Sequence, residues 1–375
     1  MYQEAVQVLT EQSDSTLGLA YMGVAITSGE SELTPETLAA FGRSRTLFEG
    51  AGNVLGMAHV DSNLAAFALL EHRPEQAIAG FTDLLPRFAR MGAHEEEAYI
   101  LIMLARAQLQ MLQPDLARKA IEQAMGGAGG MANARQHWHA VALQAQIAVF
   151  QGRLKEAQHW LEDLEKDADP ILDASARASG HAIAAALAHA RGHPDAVVAA
   201  LAAQALAPAL ESESRDQRLY LQTAVLMLEA AWRSRSPEAD AQFQQVKTWI
   251  ALRPGSWWRA WEDWISARQH RYRAGLDASL VDLEDAIVRI EAFAVPADSV
   301  NAAVPFISDL LDAGDTQAAA VMLGRISRWG EQDVQVAWLQ ARLYRALGRP
   351  GAADQASEHA LRLAGDRVLS APFNQ

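Results

Sequence analysis

Apolar residues recur at helical spacing along most of the chain. In the clearest stretch, 56–72, Leu64, Phe67 and Leu70 lie on one face of a helix. A break at 72–74 follows, and the apolar pattern then resumes at Ala77, Ile78, Phe81, Leu84 and Leu85. Pro74 suits the first turn of a helix, because its missing N–H has no hydrogen bond to make there. This stretch therefore predicts two helices joined by a short turn.

The same arrangement repeats every 40 residues in the first half of the chain. Each junction contains a breaker, charged or polar residues, and then a small residue, which is Ala77, Ala117, Ala157 or Val197. A fixed period of this length is typical of stacked two-helix units, each of which buries its apolar face on its neighbours. Runs of β-branched residues with a period of two are rare, which argues against sheets.

Other segments follow the same pattern. Thr34, Pro35 and Glu36 form a helix start signal, with a cap, a proline in the first turn and an acid. The further predicted pairs are 15–27 with 34–48, 98–112 with 115–125, 136–151 with 154–167, and 174–191 with 194–206.

We expect a single all-α solenoid of about eight or nine helical hairpins. Regular 40-residue repeats occupy 1–210, irregular repeats rich in Trp occupy 211–300, and C-terminal repeats with a cap occupy 301–375. No linker is long enough to separate independent domains. The apolar tail that contains Leu361, Leu363, Val368 and Leu369 is expected either to cap the solenoid or to dock on a second copy.

The second helices carry a recurring motif of a small residue followed, four positions later, by a large apolar one. It occurs as Ala77-x3-Phe81, Ala117-x3-Ile121, Ala157-x3-Leu161, Val197-x3-Leu201, Ala239-x3-Phe243 and Ala319-x3-Leu323. The chain resembles the tetratricopeptide repeat (TPR) family, in a long variant with about 40 residues per repeat that occurs in bacterial signalling and regulatory proteins. The aromatic residue of the family's first helix is usually missing, and Ser357 replaces the large apolar residue of the last unit.

The resemblance implies a right-handed superhelix whose concave face, lined by the first helices, binds peptides or helices. Many bacterial members of the family lie beside a kinase, a cyclase or a DNA-binding domain. The segment 1–9 also starts as an amphipathic helix without a leading tail. We therefore interpret the chain as a module of a longer protein, in which a covalently linked effector domain is one open alternative.

The formal net charge is −14, and 50% of the residues are hydrophobic. Such a surface repels a phosphate backbone, so we expect no nucleic-acid binding by this segment and a better match to a basic partner. The chain has no Cys, which excludes disulfides and thiol-ligated metals. No apolar run reaches the roughly 18 residues that a membrane span needs. Together with the missing signal peptide, this predicts a cytoplasmic protein, while a periplasmic location stays open for an excised domain.

If the first helices line a groove, residues 40 apart should stack as ladders along it. The first ladder is His59, Tyr99, His139 and Ser179; the second is Asn63, Met103, Leu143 and Ile183; the third is Ala66, Arg106, Gln146 and Ala186. We expect the partner-binding residues to be His59, Asn63, Tyr99, Met103, Arg106, His139 and Gln146, which suit an extended or helical peptide. An alternative register would place these side chains between helices.

A second candidate site is the segment 253–264, which holds four of the ten Trp residues. Trp and Arg dominate binding hot spots, so Trp257, Trp258, Arg259 and Trp261 are candidates for a partner or ligand pocket. The alternative is a core stripe with Arg side chains over the rings, because Trp257, Trp261 and Trp264 share one helix face. Helical spacing favours the core stripe, which leaves Trp258 as the best candidate for an exposed contact.

The signals for catalysis and for metals are weak. The spacing of Gly50, Gly52 and Gly56 departs from a dinucleotide-binding loop, and a helix break separates His189 from His193. We therefore expect no catalytic residue, metal or cofactor. The leading interpretation is a non-enzymatic interaction module, the sensor or scaffold part of a bacterial signalling or transcription-regulatory protein. The alternative is a regulatory domain that binds a small molecule or peptide signal in a pocket lined by Trp.

Overall fold

The computed structural model describes residues 14–28, 34–127, 134–166, 174–211 and 217–369. Within these ranges the chain forms 18 α-helices, a short 3₁₀ helix at Ser327–Trp329 and no strand. The helices are α1 (Asp14–Ser28), α2 (Pro35–Gly50), α3 (Val54–Leu70), α4 (Pro74–Met91), α5 (His94–Gln110), α6 (Pro114–Gly126), α7 (Ala134–Phe150), α8 (Leu154–Lys166), α9 (Ala174–Ala190), α10 (Asp195–Glu211), α11 (Gln217–Arg233), α12 (Ala239–Ala251), α13 (Ser256–Ala274), α14 (Leu276–Glu291), α15 (Pro296–Asp312), α16 (Thr316–Ile326), α17 (Val334–Ala346) and α18 (Pro350–Ala364).

Consecutive helices pair as hairpins, from α1 with α2 to α17 with α18. The predicted all-α solenoid is confirmed, and the described residues contain hairpins in the predicted number. The predicted helix bounds are close to the observed ones. The largest differences are at α10, which ends at Glu211 rather than 206, and at α5, which begins at His94 rather than 98. The acidic run 95–97 therefore forms the first turn of α5. None of the helices in the described ranges combines the length and apolar character of a membrane span.

The helix start signals act as the sequence indicates. Thr34 is the N-cap of α2, and its hydroxyl oxygen accepts a hydrogen bond from the backbone N–H of Thr37 at 3.1 Å. Pro74 occupies the first turn of α4, directly after the N-cap residue Arg73. Both devices satisfy or remove backbone donors that have no partner inside the helix.

The same backbone turn recurs at each 40-residue interval. The first helices α3, α5, α7 and α9 each end at a residue in the left-handed region, with φ of 62° at His72, 56° at Leu112, 72° at Gly152 and 71° at Gly192. After His72, Gly152 and Gly192, the next N–H donates to the carbonyl five residues earlier, as from Arg153 to Ala148 at 2.9 Å. This turn closes a helix and redirects the chain into the next one. The breakers in the sequence are therefore helix-ending turns.

The chain divides into two compact units. The first consists of residues 1–111 and 115–136, and the second of residues 112–114 and 137–375. The first unit has a core that includes Phe41 and Phe67, whose rings meet edge to face at 5.7 Å. The second unit has a larger core that runs from α9 to α17 and contains several Trp side chains. The finer division at 210 and 300 that the sequence suggests stays a prediction.

The C-terminal segment of the second unit turns back onto earlier helices. After α18, the N–H of Asp366 donates to the carbonyl of Gly152 at 2.8 Å, and the N–H of Val368 donates to the carbonyl of Ala190 at 2.9 Å. The guanidinium of Arg367 also donates to the carbonyl of Phe150, the last residue of α7, at 2.8 Å. We call residues 365–368 the strap. It joins positions between 178 and 217 residues apart in sequence.

Candidate functional site

Side chains about 40 residues apart meet between consecutive first helices. In the first unit, His59 Nε2 lies 3.3 Å from a carboxylate oxygen of Glu96. In the second unit, the indole N–H of Trp264 donates to the carbonyl of Ala302 at 3.1 Å. These contacts show that neighbouring first helices bring residues 37 and 38 positions apart side by side. The exact 40-residue ladders stay a prediction.

Five of the predicted groove residues lie on two neighbouring first helices of the first unit. His59 and Asn63 are on α3 and half-buried, and the side-chain amide of Asn63 donates to the carbonyl of His59 at 2.8 Å. Tyr99, Met103 and Arg106 are on α5, where Tyr99 is 37% exposed and the other two are half-buried. The five residues therefore lie on faces that solvent reaches. That they bind a partner stays a prediction.

In the second unit, half of the six ladder residues are buried. His139 and Gln146 lie on α7 and are half-buried. Leu143 and Ile183, by contrast, are only 3% and 2% exposed. Ser179 is buried as well, and its hydroxyl shares a hydrogen bond with the hydroxyl of Tyr220 on α11 at 3.2 Å. The expectation that Leu143, Ile183 and Ser179 line a groove is therefore wrong, because the helices pack closely at these positions.

The four Trp side chains of α13 belong to the core. Trp257, Trp258, Trp261 and Trp264 are all at most 5% exposed, and neighbouring rings meet edge to face. The expectation that Trp258 offers an exposed contact is wrong, since its ring packs against Trp249 and Trp257, at centroid distances of 5.3 and 4.7 Å. Of the two alternatives for this segment, the structure contains the core stripe and not an exposed Trp contact.

Arginine side chains cover some of these rings, as the core-stripe alternative predicts. The guanidinium carbon of Arg253 lies 4.2 Å from the ring centroid of Trp249 and 5.4 Å from that of Trp258. Burial lowers the pKa of Arg253. Arg259 is exposed on α13, and its role in binding stays a prediction.

A buried ion network connects three consecutive first helices of the second unit. Arg268 on α13 is 1% exposed and donates from Nε and Nη2 to both carboxylate oxygens of Glu229 on α11, at 2.6 and 2.9 Å. Its remaining nitrogen donates to Asp309 on α15. Arg271 donates to the same Asp309 at 2.6 and 3.0 Å, and the hydroxyl of Tyr272 donates to Glu229 at 3.0 Å. The network ties the repeats together with charge-assisted hydrogen bonds.

The pairing controls the charge states in this network. Burial alone would raise the pKa of Glu229, but the guanidinium of Arg268 outweighs it and holds the pKa below the ordinary value. Burial would lower the pKa of Arg268, and the carboxylates of Glu229 and Asp309 instead raise it. Burial and the negative charge of Glu229 raise the pKa of Tyr272. The pair is therefore ionised, and the phenol is neutral, at neutral pH.

A second buried carboxylate also links neighbouring first helices, near the N-terminal end of α13. Asp298 on α15 is 1% exposed, accepts from the indole N–H of Trp257 at 2.8 Å and pairs with Arg218 on α11. The guanidinium of Arg218 lies 5.0 Å from the ring centroid of Trp257. Arg218 and Asp298 thus connect repeats on either side of the Trp257 ring.

Sequence reasoning missed these networks, although a signal for them exists. Arg268 follows Glu229 by 39 residues, and Asp309 follows Arg268 by 41. The ladder spacing used for the regular repeats would have aligned the three, had it been extended into the irregular part. In the described ranges, no three His, Asp or Glu side chains form a group that could hold a metal ion.

Comparison of the chain with protein families and with curated proteins finds no match. Among solved structures it is similar to a protein of Pyrococcus horikoshii described as a signal transduction ATPase with numerous domains (STAND) that has a tetratricopeptide repeat sensor. The TM-score is 0.55 at 11% sequence identity, over 93% of this chain and 53% of that one. This chain has a TPR-like repeat fold. It spans about half the length of the archaeal protein.

A circular tandem repeat protein with a novel repeat topology also matches. It is 15% identical over 96% of this chain and 87% of that one, with a TM-score of 0.18. This similarity is too low to support any argument about the TPR-like array. The similarity that supports a TPR-like fold is the one to the protein with the TPR sensor.

Proposed function

We propose that this TPR-like array is an interaction module without a catalytic role of its own. It binds a protein or peptide segment along the first helices α3 and α5. The observation that supports the proposal most directly is that two neighbouring helices present solvent-accessible faces. One face carries His59 and Asn63, and the other carries Tyr99, Met103 and Arg106. Aromatic, thioether and guanidinium groups beside an amide suit peptide recognition, in which a few side chains supply most of the affinity.

The net charge of the chain favours one class of partner. With a net charge of −14, the array favours a basic or positively flanked segment by long-range attraction. Glu96, which lies beside His59 on this face, adds a local acceptor for such a partner. The half-buried His59 and the exposed Tyr99 would contact its apolar side chains.

A structural similarity supports a role in signalling. The similar archaeal protein carries a TPR sensor in a signal transduction ATPase. We infer that this chain is likewise the sensor or scaffold part of a signalling or regulatory protein. The alternative of a ligand pocket among Trp257–Trp264 loses its support, because those indoles fill the core.

The test is a capture experiment followed by an affinity measurement. The full chain is used as bait in a lysate of the source organism, and the recovered protein is then produced and titrated against four variants. Tyr99→Ala and Arg106→Ala change the proposed face. Leu116→Ala and Arg118→Ala change α6, the second helix of the same repeat, at positions that are 46% and 37% exposed.

The proposal expects Kd to rise at least about tenfold for the two α5 variants and to stay within about twofold for the two α6 variants. Circular dichroism checks that all four fold alike. Equal effects from both helices, or an effect from α6 alone, would show that the partner does not bind the proposed face.

A further inference from the structure

A cavity of about 540 Å³ that opens to solvent lies between the C-terminal ends of α11 and α13 and the start of α12 in the second unit. Its size falls in the range of about 300–1,000 Å³ that is common for small-molecule sites. The charged and aromatic residues that line it are Arg233, Arg235, Arg271, Arg273, Asp240 and Tyr272. Four guanidinium groups and one carboxylate line it. Arg233, Arg271 and Arg273 each pair with a carboxylate, so within the described residues Arg235 is the lining arginine whose charge is not paired.

Two of the arginines are held in place. Arg233 donates from Nε and Nη2 to the two carboxylate oxygens of Asp195 on α10, at 3.1 and 2.9 Å. Arg271 makes the paired hydrogen bonds to Asp309 described above. Neither carboxylate lines the cavity. The two pairs fix the guanidinium planes, so that little side-chain entropy remains to be lost when a ligand binds.

The other two arginines are available to a ligand. Arg273 pairs with Asp240 at 2.6 Å, but the two side chains are 59% and 67% exposed. An exposed pair of this kind contributes little stability, so a ligand can replace the carboxylate. Within the described part of the chain, the side chain of Arg235 has no ion pair or hydrogen bond. Its backbone is fixed with φ of 54° in the turn that ends α11.

An aromatic wall adjoins the arginines. The rings of Tyr272 and Trp232 lie 5.2 Å apart between centroids, and the guanidinium carbon of Arg271 lies 4.7 Å from the centroid of Tyr272. The hydroxyl of Tyr272 is tied to Glu229, which fixes the ring. A flat organic group beside an anionic one would therefore find both an aromatic face and guanidinium groups.

We propose that this cavity binds a small molecule that carries a phosphate or diphosphate group. A guanidinium donates in a planar fork that matches phosphate oxygens. A phosphate ester offers several oxygens in different directions and a charge of about −1.5 to −2 at neutral pH, so several guanidinium groups can contact it at once. A carboxylate has only two oxygens, so it accepts hydrogen bonds from fewer guanidinium groups at once. The site is separate from the partner-binding face proposed on α3 and α5, and its test does not depend on that face.

Calorimetric titration of the full chain tests the assignment with three probes, namely pyrophosphate, ADP and citrate. Arg235→Gln and Arg273→Gln remove positive charge from the cavity without leaving a buried group unpaired. The matched control is Arg259→Gln, since Arg259 is an exposed arginine near the opposite end of α13. Circular dichroism and thermal melting verify that each variant folds.

The expected result is binding of pyrophosphate and ADP that weakens at least about tenfold in each cavity variant, is unchanged in the control, and falls as salt is added. Tighter binding of ADP than of pyrophosphate would support contact with the aromatic wall. Absence of binding at millimolar probe, an unchanged Kd in Arg235→Gln, or citrate bound as tightly as pyrophosphate would overturn the proposal.

Discussion

Arg268 and Glu229 form a bidentate ion pair in the core of the second unit, with N–O distances of 2.6 and 2.9 Å and side-chain exposures of 1% and 7%. Asp309 accepts from the same guanidinium on its other side. Removing such charges from water is costly, and the contacts offset that cost only while both partners are present. The three residues therefore depend on one another.

The first prediction is that Arg268→Met destabilises the second unit by about 3–5 kcal/mol, because it leaves Glu229 buried without its main partner. Urea unfolding followed by circular dichroism measures the change. Arg259→Met is the control on the same helix, and its exposed position predicts a change within about 0.5 kcal/mol. Similar midpoints for the two variants would contradict a structural role of the pair.

The second prediction concerns pH. The pKa of Glu229 is lower in the folded chain than its ordinary value of 4.5. Its ionised form therefore contributes full stability above pH 4.5, and this contribution disappears as the pH falls through the folded pKa. Glu229→Gln should be less stable than the unmodified chain at pH 7, and the difference should shrink below pH 4.5. Unfolding midpoints measured from pH 7 to pH 3 test this, and a constant difference would exclude the shift.

The sequence was sufficient for the repeat architecture because each repeat is ended by a local signal. His72, Leu112, Gly152 and Gly192 occupy the same left-handed turn, and the breakers beside them are visible without any tertiary information. The burial of Trp258 was not predictable in this way. Its position off the main apolar stripe suggested solvent, but Trp249 from the preceding helix covers it. Contacts from another element decided its environment.

The third prediction concerns Trp258. Since its side chain is only 5% exposed, Trp258→Ala should cost about 3–5 kcal/mol of unfolding free energy through lost burial and the cavity left behind. Leu252→Ala serves as the control, because Leu252 is 78% exposed and close in sequence. Its expected cost is below about 0.5 kcal/mol. Equal stability of the two variants, measured by urea unfolding, would mean that Trp258 is a surface residue after all.

The fourth prediction compares two glycines that end first helices. A Cβ at Gly152 would lie 2.0 Å from the carbonyl oxygen of Ala364, whereas a Cβ at Gly348 meets nothing within 4 Å. Both have positive φ, 72° and 67°. Gly348→Ala should therefore cost only the backbone strain of about 1–2 kcal/mol. Gly152→Ala should cost about 1–3 kcal/mol more, because the strap must move.

Hydrogen exchange separates this effect from general destabilisation. The amides of Asp366 and Val368, which donate to Gly152 and Ala190, should lose protection in Gly152→Ala and keep it in Gly348→Ala. If both variants retain protection at these amides, the strap does not depend on the close approach at Gly152.

The strap also bears on how the repeat number could change. An array held only by contacts between neighbouring repeats can gain or lose a unit at little cost, because each junction is local. In the second unit, however, residues 365–368 must reach the turns at Gly152 and Gly192 after a set number of intervening hairpins. Duplication or deletion of one hairpin between α9 and α18 would carry the strap away from both turns. For evolution and for engineering, this part of the chain is a block of fixed length, and new repeats are accommodated more easily in the first unit.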